Sequence, residues 1–571
     1  MMRTKIINLS VIFLFLLLGL GIFKLSVMQG GKFKELSNRN CIRLIPQPGA
    51  RGRLLDRNQE VIVDNYLTYD VMILPQEKEQ IDNVLSRVNE ILGENPKELR
   101  DRFRRGYLAP FLPVCIKKNV DVKKAMALEE LKTDLPNVIV QPCPLRKYPY
   151  GSLASHTLGY LSEIDSWRLS KLENYGYNSK DIVGFGGVEE KYDYFIRQEE
   201  GALSVEVDHK GKFVRVLGYK PPQNGRDVQL TLDLRIQKIA ENSLSGRRGS
   251  VVVMDPNSGE ILAMASFPTF NPAIFVNKTG PSIAKVFTDP NAPLLNRAIS
   301  GVYSPGSVFK NVVASAGLET GKIKPSTSFF CSGSMFVGRR SFKCWNTHGQ
   351  QDLNGALAHS CDIYFYRTGL AVGAQQLHDY AIKFGFGKNT GIDLPYELDG
   401  FVPSPLWRKL TKFANWYDGD TANFSIGQGD LTVTPLGVTR VMAAFANNGF
   451  LVNPYVVKNI SGYDVSSYHK KAAKLAIKEG TLRAVNQGLR KAVSDPDGTA
   501  NVLATLSVAV AGKTGTVQVD RKQPHGWFVG YFPYQAPKFV VCVFLEHGGS
   551  GFASTVLTKE IIEKMIQEGL I

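Results

Sequence analysis

Apolar residues are distributed along this chain in three different ways. From residue 6 to residue 28 they form a nearly unbroken run, IINLSVIFLFLLLGLGIFKLSVM. As a helix this run matches a bilayer core of about 30 Å. Asn8, Ser10, Lys24 and Ser26 interrupt it near its edges, where polar groups reach the interface. The run exceeds an ordinary signal-peptide core and no small-residue cleavage pattern follows it, so an uncleaved anchor is expected. Arg3 and Lys5 before the run favour a cytoplasmic N-terminus, although Lys32 and Lys34 beyond it weaken the charge asymmetry.

A second pattern is helical. In EQIDNVLSRVNEILG the residues Ile81, Val84, Leu85, Val88 and Leu92 recur at helical spacing and predict one buried face. Short strands are expected before it, at Val61–Val63 and again at Tyr69 and Val71. The third pattern is continuous. GSVVVMDPNSGEILAMASFPTFNP reads as two strands around the turn Asp255-Pro256-Asn257-Ser258-Gly259. TLSVAVAGKTGTVQV, GWFVGYF and KFVVCVFLEH read as further strands near the C-terminus. A helix capped by Asp233 precedes the first pair, and a last helix with Ser554 as its cap follows the final strand. Strands at both ends of one region, with helix-rich sequence between them, predict a sheet assembled from distant segments with helices packed on it.

Length changes this picture by dividing it. A chain of 571 residues exceeds one ordinary core. The expected divisions are 1–30 as cytoplasmic tail and anchor, 31–225 as an extracytoplasmic linker and head region, and 226–571 as the domain carrying the chemistry. Composition is that of a folded protein, with 44% hydrophobic and 21% charged residues. The net charge of +16 is dispersed and joins no nucleic-acid motif, so no nucleic-acid partner is expected. Seven cysteines are too few for a disulfide-built scaffold.

Candidate chemistry lies in three places. In YSPGSVFKNVVASAG, Ser307 and Lys310 are three apart and share a helix face that starts after Pro305. A serine hydroxyl needs a base to become a nucleophile, and a neutral lysine amine can serve. Apolar neighbours such as Val308 and Phe309 would favour the neutral amine by burial. The second place is HSCDIYFY, with Ser360 and Asp362. The third is Lys513-Thr514-Gly515-Thr516, where a glycine inside a strand permits close approach of another backbone or ligand. Alternation places Lys513 and Gly515 on one side and Thr514 and Thr516 on the other.

In this order the three elements resemble the serine penicillin-recognising family. GARGRLLDRN, GFGGVEEKYD, MDPNSGEILAMASFP and SIGQGDLTVTPLG extend the resemblance over nearly the whole chain, to the class B penicillin-binding proteins. Aspartate at 362, where the wider family usually has asparagine, is similar to the elongation-type penicillin-binding protein 2 members. The fold class so implied is α+β and multidomain: a C-terminal serine beta-lactamase-like transpeptidase domain with a central antiparallel sheet and helices on both sides. An elongated mixed α/β region and one transmembrane helix precede it.

The resemblance implies a peptidoglycan D,D-transpeptidase and beta-lactam target. Ser307 would be acylated, with Lys310 as its base, and Ser360 would relay a proton toward the leaving amine with Lys513 close to it. Asp362 stands beside them as an acceptor only. Thr514, Gly515 and Thr516 would hold the substrate carboxylate, and the N–H groups of Ser307 and Thr516 would form the oxyanion hole. Stem peptides, an elongation-type membrane glycosyltransferase and shape-determining scaffold proteins are the implied partners, at the bacterial inner membrane with the catalytic domain outside. A division-type transpeptidase and a noncatalytic wall scaffold are the competing readings. No organic cofactor is expected.

Cys331, Cys344, His348 and Cys361 offer three thiolates and an imidazole, a set that suits tetrahedral zinc, although their outer spacings match no standard finger. Free or disulfide-bonded cysteines are the alternative. The resemblance strengthens the metal reading, because some penicillin-binding protein 2 members place a structural zinc here with mixed ligands. Of the remaining candidates, His525 reads as a turn histidine and Cys542 as a core residue.

Overall fold

The computed structural model describes residues 2–75, 78–107, 113–135, 137–207, 213–277, 280–466 and 471–571. A helix runs from Met2 to Phe23 and continues as a wider turn over Lys24–Met28. Its segment Lys5–Met28 is the one helix among the described residues long and apolar enough to cross a membrane, and protein covers none of it. The side chain of Arg3 lies outside the described residues.

The described chain forms two compact units. The first comprises Met1–Arg51, Asn65–Leu145 and Arg197–Gly225. Here the helix Lys78–Leu92 buries Leu85, Val88 and Leu92, as its spacing predicts. Beside it the helix Pro96–Gly106, capped by Asn95, adds Leu99 and Phe103 to the same core. The core is completed by Val71 and Ile73 and by Val114 and Ile116 of the paired strand Val114–Val120. The two short strands expected at 61–63 and 69–71 are one strand, Val61–Ile73. No glycine or proline lies between them to break an extended backbone. A second sheet in this unit pairs Ile42–Gln47 with Gly201–Val207, and that strand with Phe213–Lys220, all antiparallel.

The second unit comprises Gly52–Asp64, Arg146–Ile196 and Arg226–Ile571. Residues 52–64 and 146–196 therefore fold with the C-terminal region, although they precede residue 226 in the chain. A buried ion pair, Arg146–Glu189 at 2.6 Å, lies inside these early segments.

Five strands and five helices set up the site. They are α1 (Leu234–Leu244), β1 (Gly249–Met254), β2 (Ile261–Phe267), α2 (Lys310–Glu319), α3 (Asp362–Val372), α4 (Pro435–Ala446), β3 (Ala511–Val519), β4 (Lys522–Phe532), β5 (Phe539–Leu545) and α5 (Gly551–Gln567). The sheet order is β2-β1-β5-β4-β3, antiparallel throughout. Both faces are covered, which explains why FVVCVF and SVVVM are continuous apolar runs rather than alternating ones. On one face Val251, Val253, Val541 and Val543 pack with Ile236, Ile239, Leu557 and Ile561 of α1 and α5. On the other, Val252, Cys542, Phe544 and Trp527 join Phe309, Phe365, Leu436 and Phe445. Cys542 is a core residue, as its sequence context predicts.

Three expectations are corrected. Strand β3 begins only at Ala511: Asn501–Thr505 form a short 3-10 turn and residues 506–510 follow as irregular backbone before the sheet. His525 lies within β4, not in a turn, with its ring against Tyr303 and Phe544. Helix α5 is preceded by Ser550 rather than capped by Ser554, which is buried inside it. The helix starts earlier because the Gly551 N–H donates to Thr516 Oγ1 at 3.0 Å, so β3 supplies the acceptor a cap residue would otherwise provide.

Candidate active site

The first motif sits on a turn, not on a regular helix. Pro305 leads into a 3-10 turn over Gly306–Phe309, which hands over to α2 at Lys310. Gly306 has φ +56, a conformation L side chains avoid. A methyl group on it would meet Val517 Cγ2 at 2.8 Å and the Thr516 carbonyl at 3.1 Å, so the turn lies directly on β3. Its approach is held by several bonds. Tyr303 and Val433 exchange backbone hydrogen bonds of 2.9 Å, and the Gly306 N–H donates to the Gly427 carbonyl at 2.9 Å. The indole N–H of Trp527 donates to the Ser304 carbonyl at 3.1 Å.

The second motif meets the first through Lys310. The lysine side chain is fully buried, and its three donors face three oxygens of one short segment. These are the Ser360 carbonyl at 2.8 Å, Ser360 Oγ at 3.2 Å and Asp362 Oδ1 at 2.7 Å. Ser360 itself has φ +55, an uncommon value for serine that costs of order 1–3 kcal/mol. The neighbouring hydrogen bonds that hold this turn are Cys361 N–H to the Ala356 carbonyl at 2.9 Å and Trp345 Nε1 to the His359 carbonyl at 3.0 Å.

In the third motif, Lys513 is fully buried and Thr514 nearly so, while Thr516 is exposed. Lys513 Nζ donates to the Thr514 carbonyl at 3.2 Å. Burial first, and the charge of Lys310 second, hold its ammonium well below the usual lysine range; Asp362 opposes them. Gly515 is glycine for a steric reason: a methyl group there would meet the Pro305 carbonyl at 3.0 Å, Val308 at 3.1 Å and Trp527 at 3.2 Å. The expected alternation holds in that Gly515 faces the nucleophile turn, whereas Thr514 and Thr516 lie toward the start of α5. The Thr516 hydroxyl is thus already engaged by α5.

The four candidate metal ligands converge. Cys331 Sγ, Cys344 Sγ, Cys361 Sγ and a ring nitrogen of His348 all lie within 4.8 Å of one another. His348 Nδ1 is 3.6 Å from Cys331 Sγ and 3.5 Å from Cys344 Sγ. A hydrogen bond from Cys361 pushes the Cys344 thiol down to about 5, while the same bond and burial push Cys361 up. Three cysteines and one histidine fit the tetrahedral donor set of a structural zinc site. The cluster touches the second motif twice: Cys361 separates Ser360 from Asp362, and the Asp362 N–H donates to Cys344 Sγ at 3.2 Å.

Sequence reasoning missed Trp527 and Gly427 as parts of this site. The available signals were a tryptophan on the strand after the third motif and the glycine pair in SIGQGD. Gly427 has φ +73, and a methyl group on it would collide with the Gly306 carbonyl at 2.1 Å.

Comparison with known proteins matches this architecture. Residues 249–567 match the penicillin binding protein transpeptidase domain, and residues 46–230 the penicillin-binding protein dimerisation domain. The chain is 33% identical to the peptidoglycan D,D-transpeptidase MrdA of Acinetobacter baumannii, over 94% of this chain and 84% of that protein. It is similar to the penicillin-binding protein PBP2 in the complex with MreC from Helicobacter pylori, with a TM-score of 0.84 and 27% identity, covering 93% of this chain and 99% of that one. A component of a peptidoglycan synthase complex that coordinates polymerization and crosslinking superposes with a TM-score of 0.75 and 29% identity over 98% of each chain. The Ser307 turn, its buried lysine and the edge strand beside it thus lie in a chain that belongs to the penicillin-binding protein transpeptidase family, as a class B member of the elongation-type PBP2 group.

Proposed function

We propose that this chain cross-links peptidoglycan stem peptides as a serine D,D-transpeptidase in cell elongation, with Ser307 as the acylated nucleophile. The observation that carries the reading is a fully buried lysine, one turn from that serine, bonded to both polar side chains of the second motif. In the first step Ser307 Oγ bonds to the penultimate D-alanine carbonyl carbon and its proton passes to the side-chain nitrogen of Lys310, acting as base. Backbone N–H groups of Ser307 and Thr516 take the developing oxyanion. Collapse breaks the peptide bond, and the departing nitrogen of terminal D-alanine takes a proton through Ser360, replaced from Lys310. In the second step an acceptor amine from a neighbouring stem attacks the ester carbonyl and loses its proton to the same lysine, which passes it to Ser307 Oγ as the ester C–O bond breaks, restoring the free serine. Lys513 supports Ser360 and the substrate carboxylate, with Thr514 and Thr516 near the same end.

Beta-lactams would acylate the same serine, because their strained amide resembles the D-alanyl substrate. Residues 226–571 carry this chemistry, residues 31–225 supply the linker and head region apart from the segments 52–64 and 146–196 that fold with the catalytic unit, and residues 1–30 anchor the chain in the inner membrane with the catalytic region outside. The likeness to a complex with MreC and to a peptidoglycan synthase complex supports a scaffold protein and a membrane glycosyltransferase as partners. Cys331, Cys344, His348 and Cys361 would hold a structural zinc that braces the second motif.

The test is intact-mass measurement after exposure to penicillin, followed by mapping of the adduct. One adduct on Ser307, absent from Ser307→Ala, is expected. Retained acylation on another serine in that variant would overturn the assignment.

A further inference from the structure

Trp527 is fully buried in the middle of β4, and burial alone would make it a core residue like its neighbours Phe528 and Val529. Its indole N–H, however, must find an acceptor when buried. It reaches across the edge strand and takes the carbonyl of Ser304, three residues before the nucleophile. Two features make that reach possible. Gly515 stands directly opposite Trp527 in the β3–β4 register, and any side chain on it would press on both Trp527 and the Pro305 carbonyl. Tyr303 and Phe544, ring centroids 4.1 Å apart, wall the indole, with Phe544 centred 4.4 Å from Trp527.

The bonds from Tyr303 to Val433 and from Gly306 to Gly427 join the turn to the far side of the site through backbone alone. The indole bond joins it to the sheet, on the side where Thr516 lies. We propose that Trp527 is a positioning residue for acyl transfer: its N–H holds the Ser307 turn in register with β3, so that the backbone N–H groups of Ser307 and Thr516 point at one oxyanion. This rests on the reading of Ser307 and Thr516 given above. Loss of the bond leaves the penicillin-binding groove in place but lets the two donors drift apart, so it slows bond formation rather than ligand capture. A displacement of about 1 Å is enough for a loss of about 100-fold, because rates in oriented sites fall steeply with misplacement.

The experiment replaces Trp527 in the full chain by benzothienylalanine, which keeps the ring shape and lacks the N–H, and separately makes Trp527→Phe. Trp416→Phe is the control, since it also loses an indole hydrogen bond, the part-buried one to Thr421 Oγ1 at 2.8 Å, which does not reach the Ser304 carbonyl. Time-resolved intact mass gives the dissociation constant of the noncovalent penicillin complex and the acylation rate constant, and melting reports the fold. The isostere is expected to lower the acylation rate about 10–100-fold, with the dissociation constant within about threefold and the control unchanged. An acylation rate within about twofold of wild type in the isostere overturns the proposal, as does a loss that appears equally in the dissociation constant. An adduct mapped to a serine other than Ser307 in the wild-type protein instead removes the reading on which it rests.

Discussion

Asp362 Oδ1 lies 2.7 Å from Lys310 Nζ, where the wider family's usual asparagine would offer an amide oxygen. The lysine is fully enclosed, so each of its donors needs an acceptor, and Ser360 supplies only two. The third acceptor is therefore a structural requirement of the base, whatever its charge.

That requirement separates two substitutions. Asp362→Asn keeps an oxygen acceptor and is expected to lower penicillin acylation less than tenfold. Asp362→Leu leaves a buried Lys310 N–H donor unpaired and should cost about 1.5–3 kcal/mol, or about 10–100-fold in acylation. Acylation rate constants from stopped-flow fluorescence decide between them; equal losses in both variants would show that charge, not the acceptor, matters.

Lys513 is a burden on stability. Its folded form holds a proton less tightly than the unfolded chain does, because burial and Lys310 disfavour the charge. Below the ordinary lysine range the unfolded state therefore binds the extra proton, and wild-type stability rises as pH climbs toward that range. Lys513→Met should be more stable than wild type by about 1–2 kcal/mol at pH 7, and the gap should shrink toward pH 10. Acylation should fall at least about 100-fold. Urea unfolding at pH 7, 8.5 and 9.5 provides the measurement.

His156 acts at the other end of the pH scale. It is buried, with Nε2 2.7 Å from the Pro293 carbonyl, and burial lowers its pKa to about 4. The unfolded histidine takes a proton near 6.5, so stability is lost as pH falls from about 6.5 toward 4. His156→Gln removes that proton linkage. Its stability loss between pH 7.5 and pH 5 should be smaller than wild type's by about 2 kcal/mol; parallel losses would exclude His156 as the source.

The cysteine–histidine cluster predicts one tightly held zinc per chain that survives dialysis. A strong chelator should remove it and lower the melting temperature by several degrees, since structural zinc contributes folding energy. Cys344→Ser, which replaces a soft thiolate by a hydroxyl, should bind less than stoichiometric zinc and melt lower without chelator. Full stability and full acylation in metal-free wild-type protein would exclude a required ion.

The chain's own residues determined the long apolar helix near the N-terminus, because a nearly continuous apolar run needs no distant partner to reveal it. They also marked the helix Lys78–Leu92 and the strands β1, β2 and β5, where one local pattern and burial agree. Ser307 with Lys310, and Gly515 within its strand, were visible for the same reason: their spacing is set by local backbone geometry. Tertiary structure decided the rest. That the three motifs meet follows from β3 lying at the sheet edge, beside a turn some 200 residues earlier in the chain. Trp527's bond to Ser304 and Asp362's bond to Cys344 join residues whose separation carries no periodic signal. The folding of residues 52–64 and 146–196 with the C-terminal region likewise depends on long-range burial, a free-energy gain that no short window of sequence contains.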